Sequence, residues 1–128
     1  MSLFTGSGVA LITPFTENGV NFDALGKLLD HVIGGKTDAL FILGTTGEPS
    51  TMTRAEKESV IEYALQKVNK RIPVFVGSGG NNTADVTEWS RRCEAMGADG
   101  LLVVTPYYNK CTQNGAIAHY SVVSDAVN

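Results

Sequence analysis

Residues Leu43–Ser50 read L-G-T-T-G-E-P-S. Gly44 and Gly47 permit a tight turn, and Thr45 and Thr46 between them offer hydroxyls and backbone N–H groups suited to a small anion such as a carboxylate. The same pattern suits a strand-to-helix turn with polar caps, and the residues alone leave both readings open. G-T-T-G-E lacks the lysine of a phosphate-binding loop, and G-S-G-G-N-N at 77–82 misses the final glycine of a dinucleotide fingerprint, so nucleotide chemistry is not supported. Tyr107 and Tyr108 follow Pro106; paired phenols commonly pack at interfaces, but a well-placed one passes protons as a general acid or base. Lys110 close by carries an amine that could act as a nucleophile, although a solvated loop cation is the simpler reading. His31 and His119 lie on helices without an i, i+4 partner, which argues against a metal site and for surface positions. Cys93 and Cys111 are too few and too far apart for a disulfide framework or a paired-cysteine zinc site. They read as reduced thiols, Cys93 packed on a helix and Cys111 exposed in a loop.

The elements that must position these residues alternate regularly. Continuous apolar runs at Gly8–Thr13, Ala39–Leu43, Pro73–Gly77 and Gly100–Val104 predict parallel strands covered on both faces. Between them the period becomes helical: Leu25, Leu28, Leu29, Val32 and Ile33 mark a first helix, and Ile61, Leu65 and Val68 a second. The second helix opens on T-R-A-E, a capping box of Thr53 and Glu56. Val86, Trp89, Cys93 and Met96 mark a third helix; Ala116, Tyr120, Val123 and Val127 mark a fourth. The order is (βα) four times, one α/β domain over residues 1–128, with right-handed crossovers making a parallel sheet. Helix-to-strand loops are short, and the first and third carry glycines suited to helix C-caps. The strand-to-helix loops hold the hydroxyls, amides and phenols, which is the end where parallel α/β folds bind ligands.

Composition sets the outer bounds. The 128 residues are 43% hydrophobic and 18% charged, a core-forming balance. A net charge of −3 gives no support to a nucleic-acid or anionic-membrane partner. No apolar run approaches the ~20 residues of a membrane span. The N-terminal M-S-L-F-T-G lacks the regions of a signal peptide, so a cytoplasmic location is expected.

G-T-T-G-E after the second strand, R-I-P-V-F-V-G-S-G-G-N-N-T at 71–83 and V-T-P-Y-Y-N-K at 104–110 occur together and in order. This set closely resembles the dihydrodipicolinate (4-hydroxy-tetrahydrodipicolinate) synthases, pyruvate-dependent class I aldolases, over essentially the whole chain. The resemblance implies the N-terminal half of a (β/α)8 barrel. It implies condensation of pyruvate, held as a Schiff base on a lysine of the sixth strand, with L-aspartate 4-semialdehyde in lysine biosynthesis. It implies no metal or organic cofactor and a homo-oligomer. By the same resemblance Thr45 and Thr46 hold the pyruvate carboxylate, the Thr45 hydroxyl joins a tyrosine proton relay, and Tyr108 is the tyrosine given across a dimer interface. Tyr107 packs that interface and borders a lysine-regulatory cleft, to which Ser50, Arg54, Lys57, Asn81 and Asp85 also correspond. Lysine-inhibited members tend to carry histidines where Arg54 and Lys57 stand, and a glutamate is usual where Asp85 stands. Two cations there would repel an ammonium ligand, so weak or absent lysine inhibition is expected.

A complete barrel takes roughly 250 residues, and this chain ends at Asn128 after its fourth helix. The second relay tyrosine and the Schiff-base lysine belong to later strands in the family. Lys27, Lys36, Lys57, Lys67 and Lys70 fall on helices or on the helix-to-strand side, so the chain is expected to be inactive alone. Within the same fold the alternatives are an N-acetylneuraminate lyase or a 2-keto-3-deoxy sugar acid aldolase. Outside catalysis, the alternative is a half-barrel assembly module. Four strands also leave two open edges and an uncovered inner face, which predicts association with a second copy or with a missing half.

Overall fold

The four apolar runs become four parallel strands in a computed structural model that describes residues 4–128. Residues 1–3, where M-S-L-F-T-G begins, lie outside the described residues. β1 (Gly8–Ala10) is followed by a small antiparallel hairpin, β2 (Phe15–Thr16) and β3 (Gly19–Val20), and then by α1 (Phe22–Gly34). β4 (Ala39–Ile42) leads through two 3-10 turns, Thr45–Gly47 and Pro49–Thr51, into α2 (Arg54–Val68). β5 (Val74–Gly77), α3 (Thr83–Ala95), β6 (Gly100–Leu102) and α4 (Gln113–Ser124) complete the order. The sheet runs β1-β4-β5-β6, with Leu40 beside Val74 and Phe75 beside Gly100. Alternating parallel strands and helices in this order form the N-terminal half of a (β/α)8 barrel.

The strands are shorter than their apolar runs. Beyond β1, Leu11 N–H still reaches the Phe41 carbonyl at 2.9 Å, but Pro14 then turns the chain into the hairpin, where Asn21 N–H reaches the Pro14 carbonyl at 2.8 Å. The hairpin lies in a stretch that reads as loop, because two-residue strands carry no period. Side-chain alternation divides the sheet's faces. Leu40, Ile42, Val74 and Val76 face the helices and are buried with Leu25, Leu29, Val60, Ile61 and Ala64. Burying each large aliphatic side chain contributes about 1.5–3 kcal/mol. On the other face Phe41 and Phe75 stack at 4.8 Å, with Phe4 edge-on to Phe75 at 5.5 Å. Leu102 and Val104 are 42% and 44% exposed, so the inner face meets water toward the strand ends.

The helices start where their caps say they should. Thr53 accepts from Glu56 N–H, and the Glu56 carboxylate accepts from Thr53 N–H at 2.8 Å, closing the capping box. That hydrogen bond holds the Glu56 carboxyl below its ordinary range. Asn21, Asn82 and Thr112 cap the other three helices.

Gly35 is the C-cap of α1, its N–H donating to the His31 carbonyl at 2.9 Å, and the left-handed turn that follows falls on Lys36 (φ 62°). Gly97 after α3 does supply the expected positive φ, at 99°. His119 is not at the surface: it is 5% exposed, and its Nδ1 lies 2.9 Å from Thr83 Oγ1. The inward face of α4 is set by His119 and Val123, one turn apart, and Val127 lies beyond the end of the helix. Tyr120 instead stays partly exposed and sends its hydroxyl to Thr105 Oγ1 at 2.9 Å.

Candidate functional site

The loop after β4 is a pre-formed backbone cradle. Leu43, 2% exposed, adopts φ 54°, and Glu48 also adopts φ 54°. A left-handed conformation costs a non-glycine residue about 1–2 kcal/mol, so the surrounding structure must impose it. Three contacts do so. Gly47 N–H donates to the Gly44 carbonyl at 2.8 Å, and Glu48 N–H donates to the Thr45 carbonyl at 3.1 Å. The buried Thr13 hydroxyl donates to the Gly47 carbonyl at 2.8 Å. Gly77 at the end of β5 lets the chain pass: a Cβ there would be driven into the Leu43 carbonyl oxygen. Thr45 and Thr46 stand exposed between the two left-handed residues, and no hydrogen bond among the described residues engages either hydroxyl. Such a turn can present hydroxyls and N–H groups to a carboxylate.

The loop after β6 is built differently. Its internal backbone bond is Asn109 N–H to the Tyr107 carbonyl at 2.8 Å. Tyr108 takes φ 67° and is 92% exposed, Tyr107 is 53% exposed, and Lys110 is exposed with φ 48°. Thr45 and Tyr108 share no hydrogen bond.

The starts of α2 and α3 enclose a cleft of about 260 Å3. Arg54, Lys57, Asn81, Asp85 and Tyr107 all line it, while Ser50 does not. Trp89 forms a further wall, with the Arg54 guanidinium 4.4 Å above its ring centroid. Arg54 also pairs with Glu88 at 3.5 Å on the outer side. Burial, and then the Arg54 cation, push the Lys57 ammonium below its ordinary pKa.

Among the described residues no group of three His, Cys, Asp or Glu side chains gathers as a metal site. Lys67 and Lys70 are tied to Asp30 and Asp99 at 2.7 and 2.8 Å. Among the described residues no helix is long and apolar enough to cross a membrane. Sequence reading misses Thr13, Leu43 and Gly77, which shape the cradle. Only the T-P step after the first strand hints at Thr13, and nothing local marks a leucine for positive φ.

The comparisons with known proteins agree with this geometry. Residues 3–128 match the model of the dihydrodipicolinate synthetase family. The chain is 56% identical over its full length to 4-hydroxy-tetrahydrodipicolinate synthase 1 of Clostridium acetobutylicum, of which it covers 44%. It superposes on the crystal structure of dihydrodipicolinate synthase from Aquifex aeolicus with TM-score 0.93 and 46% identity, covering 98% of this chain and 43% of that one. It superposes equally, TM-score 0.93 at 41% identity, on the chloride-inhibited dihydrodipicolinate synthase of Acinetobacter baumannii complexed with pyruvate, covering 96% of this chain and 43% of that one. The chain thus spans less than half the length of these relatives. Each of these relatives is itself named as a synthase.

Proposed function

The chain belongs to the dihydrodipicolinate synthetase family, and on that premise we propose that it carries the carboxylate-binding part of a 4-hydroxy-tetrahydrodipicolinate synthase. The observation that carries this reading is the cradle after β4, whose backbone is fixed while the Thr45 and Thr46 hydroxyls remain unengaged. The carboxylate of pyruvate rests on the hydroxyls and N–H groups of Thr45 and Thr46. An amine outside these 128 residues condenses with the pyruvate ketone, expelling water to give an iminium ion. Loss of a methyl proton yields the enamine, whose carbon attacks the aldehyde of L-aspartate 4-semialdehyde. Thr45 Oγ relays protons in these steps, with Tyr108 of a second copy completing the relay.

The exposed inner face around Leu102 and Val104 is covered, in this reading, by the part of the relatives' length that this chain does not span. The protein works in the cytoplasm as a homo-oligomer. Thr45→Val in the complete enzyme keeps the side chain's shape and removes the hydroxyl. Turnover falls on the order of 10²-fold, the scale of positioned proton transfer. Turnover near that of the parent enzyme would reduce Thr45 to a structural cap.

A further inference from the structure

We propose that His119 is a positioning residue for the loop after β6, locking α4 in place so that the Tyr107–Tyr108 turn leaves the strand in one direction. This rests on the relay role proposed for Tyr108. His119 and Val123 are the buried residues of α4. Past its C-terminus the chain is tied to α3: the Arg91 guanidinium donates to the Ala126 carbonyl at 3.3 Å, and Asn128 N–H donates to the Glu94 carboxylate at 2.8 Å. At the opposite end of α3, Thr83 Oγ1 and His119 Nδ1 lie 2.9 Å apart, a side-chain bond between the first turn of α3 and the middle of α4. The next residue carries the restraint onward. Tyr120 places its hydroxyl 2.9 Å from Thr105 Oγ1 and 3.4 Å from the Val103 carbonyl. Thr105 precedes Tyr107 by two residues. A shift of α4 at His119 therefore moves the root of the loop, while the exposed tip stays open to a second copy.

Packing alone does not account for a histidine here. The residue is 5% exposed, and its Nε2 has no hydrogen-bond partner among the described residues. A neutral imidazole carries a donor on one nitrogen and an acceptor on the other. With Nδ1 on Thr83, either tautomer leaves one polar atom buried and unsatisfied, which costs stability. A leucine would fill the same space without that cost. What it could not supply is the bond from Nδ1, which is directional where an apolar contact is not. That bond fixes the height and rotation of α4 against α3, and Tyr120 passes the alignment to Thr105.

Amide spectra of the 128-residue chain and rates of the complete enzyme test this together. His119→Leu removes both nitrogens, and Thr83→Val removes the other side of the bond. His119→Asn sets an amide atom near the place of Nδ1 and nothing at the place of Nε2. In His119→Leu and Thr83→Val the N–H signals of Thr105 and Tyr107–Lys110 should shift or broaden, with those of 45–47 unmoved. In the complete enzyme kcat falls about tenfold, within the range for a misplaced reacting group. The KM for pyruvate stays unchanged, because the carboxylate cradle is untouched. The double variant is no slower than either single one, since both cut the same bond. His119→Asn recovers most of the lost rate. Thr83 is only partly buried, so Thr83→Val carries the same readings if His119→Leu does not fold. Loop signals that stay in place in the folded variants, a pyruvate KM that moves with kcat, or an asparagine no better than leucine would overturn the proposal. Displaced loop signals with an unchanged rate would uphold the positioning and remove Tyr108 from the relay.

Discussion

Two loops at the same end of the sheet are held in opposite ways. The Gly44–Glu48 turn is fixed from three sides: by its own backbone bonds, by the buried Thr13 hydroxyl and by the close approach of Gly77. The Tyr107–Lys110 turn has one internal backbone bond, and every side chain from 107 to 112 is exposed. Both contain non-glycine residues in left-handed conformations, Leu43 and Glu48 in one, Tyr108 and Lys110 in the other. In the first loop packing around a buried leucine holds the strain. In the second nothing within the described residues packs on Tyr108. A receptor for a small anion needs donors fixed before the ligand arrives, because ordering them afterwards costs binding energy. A residue that works across an interface is ordered by its partner, and an exposed phenol suits that role.

The largest expected effect that separates the loops comes from Gly77. Gly77→Ala drives a methyl group into the Leu43 backbone, which cannot yield without undoing the turn, and urea denaturation should show a loss of about 3 kcal/mol. Asn109→Ala in the other loop should stay within about 0.5 kcal/mol of the parent protein. Equal losses at both positions would break the contrast.

Thr13→Val comes next. It preserves shape but leaves the Gly47 carbonyl without its donor, at a cost of about 2 kcal/mol. The same variant should weaken pyruvate binding, because Gly47 closes the turn that holds both threonines. Stability lost with pyruvate affinity intact would mean that the cradle does not depend on this anchor.

How far the sequence reaches follows the same contrast. The strands were legible because each is a continuous apolar run such as V-F-V, and α2 was legible because T-R-A-E states its own cap. These signals are local, carried by neighbours along the chain. The cradle was legible as a place but not as a shape. Leu43 takes φ 54° because Gly77, 34 residues later, leaves room for its carbonyl, and no local pattern encodes that approach. His119 was misplaced for a related reason. Its burial depends on Thr83 in the preceding helix accepting or donating a hydrogen bond, while helical periodicity alone favoured Tyr120. The cleft residues Arg54, Lys57, Asn81, Asp85 and Tyr107 were legible as a set through family resemblance, and the fold brings them to one wall system.

The smallest effect on stability concerns the two cysteines, which repeat the contrast between packed and open regions. Cys93 is fully buried on α3, and burial pushes its thiol up to about 12. Cys111 is exposed in the loop after β6. A thiol reagent at neutral pH should label Cys111 at once and Cys93 only on unfolding. Because the folded pKa of Cys93 is raised, its contribution to stability is fully present below the ordinary thiol range. That contribution is lost as pH rises through about 12, so the protein should weaken on the alkaline side. Rapid labelling of both thiols in the folded protein would contradict the packing described for α3.

The central claim is that the loop after β4 is a ready-made carboxylate receptor, and a pyruvate titration followed amide by amide tests it most directly. The N–H signals of Thr45, Thr46 and Gly47 should shift together and saturate, with little movement in the Tyr107–Lys110 turn. Signals at 45–47 that stay unmoved at high pyruvate would contradict the account.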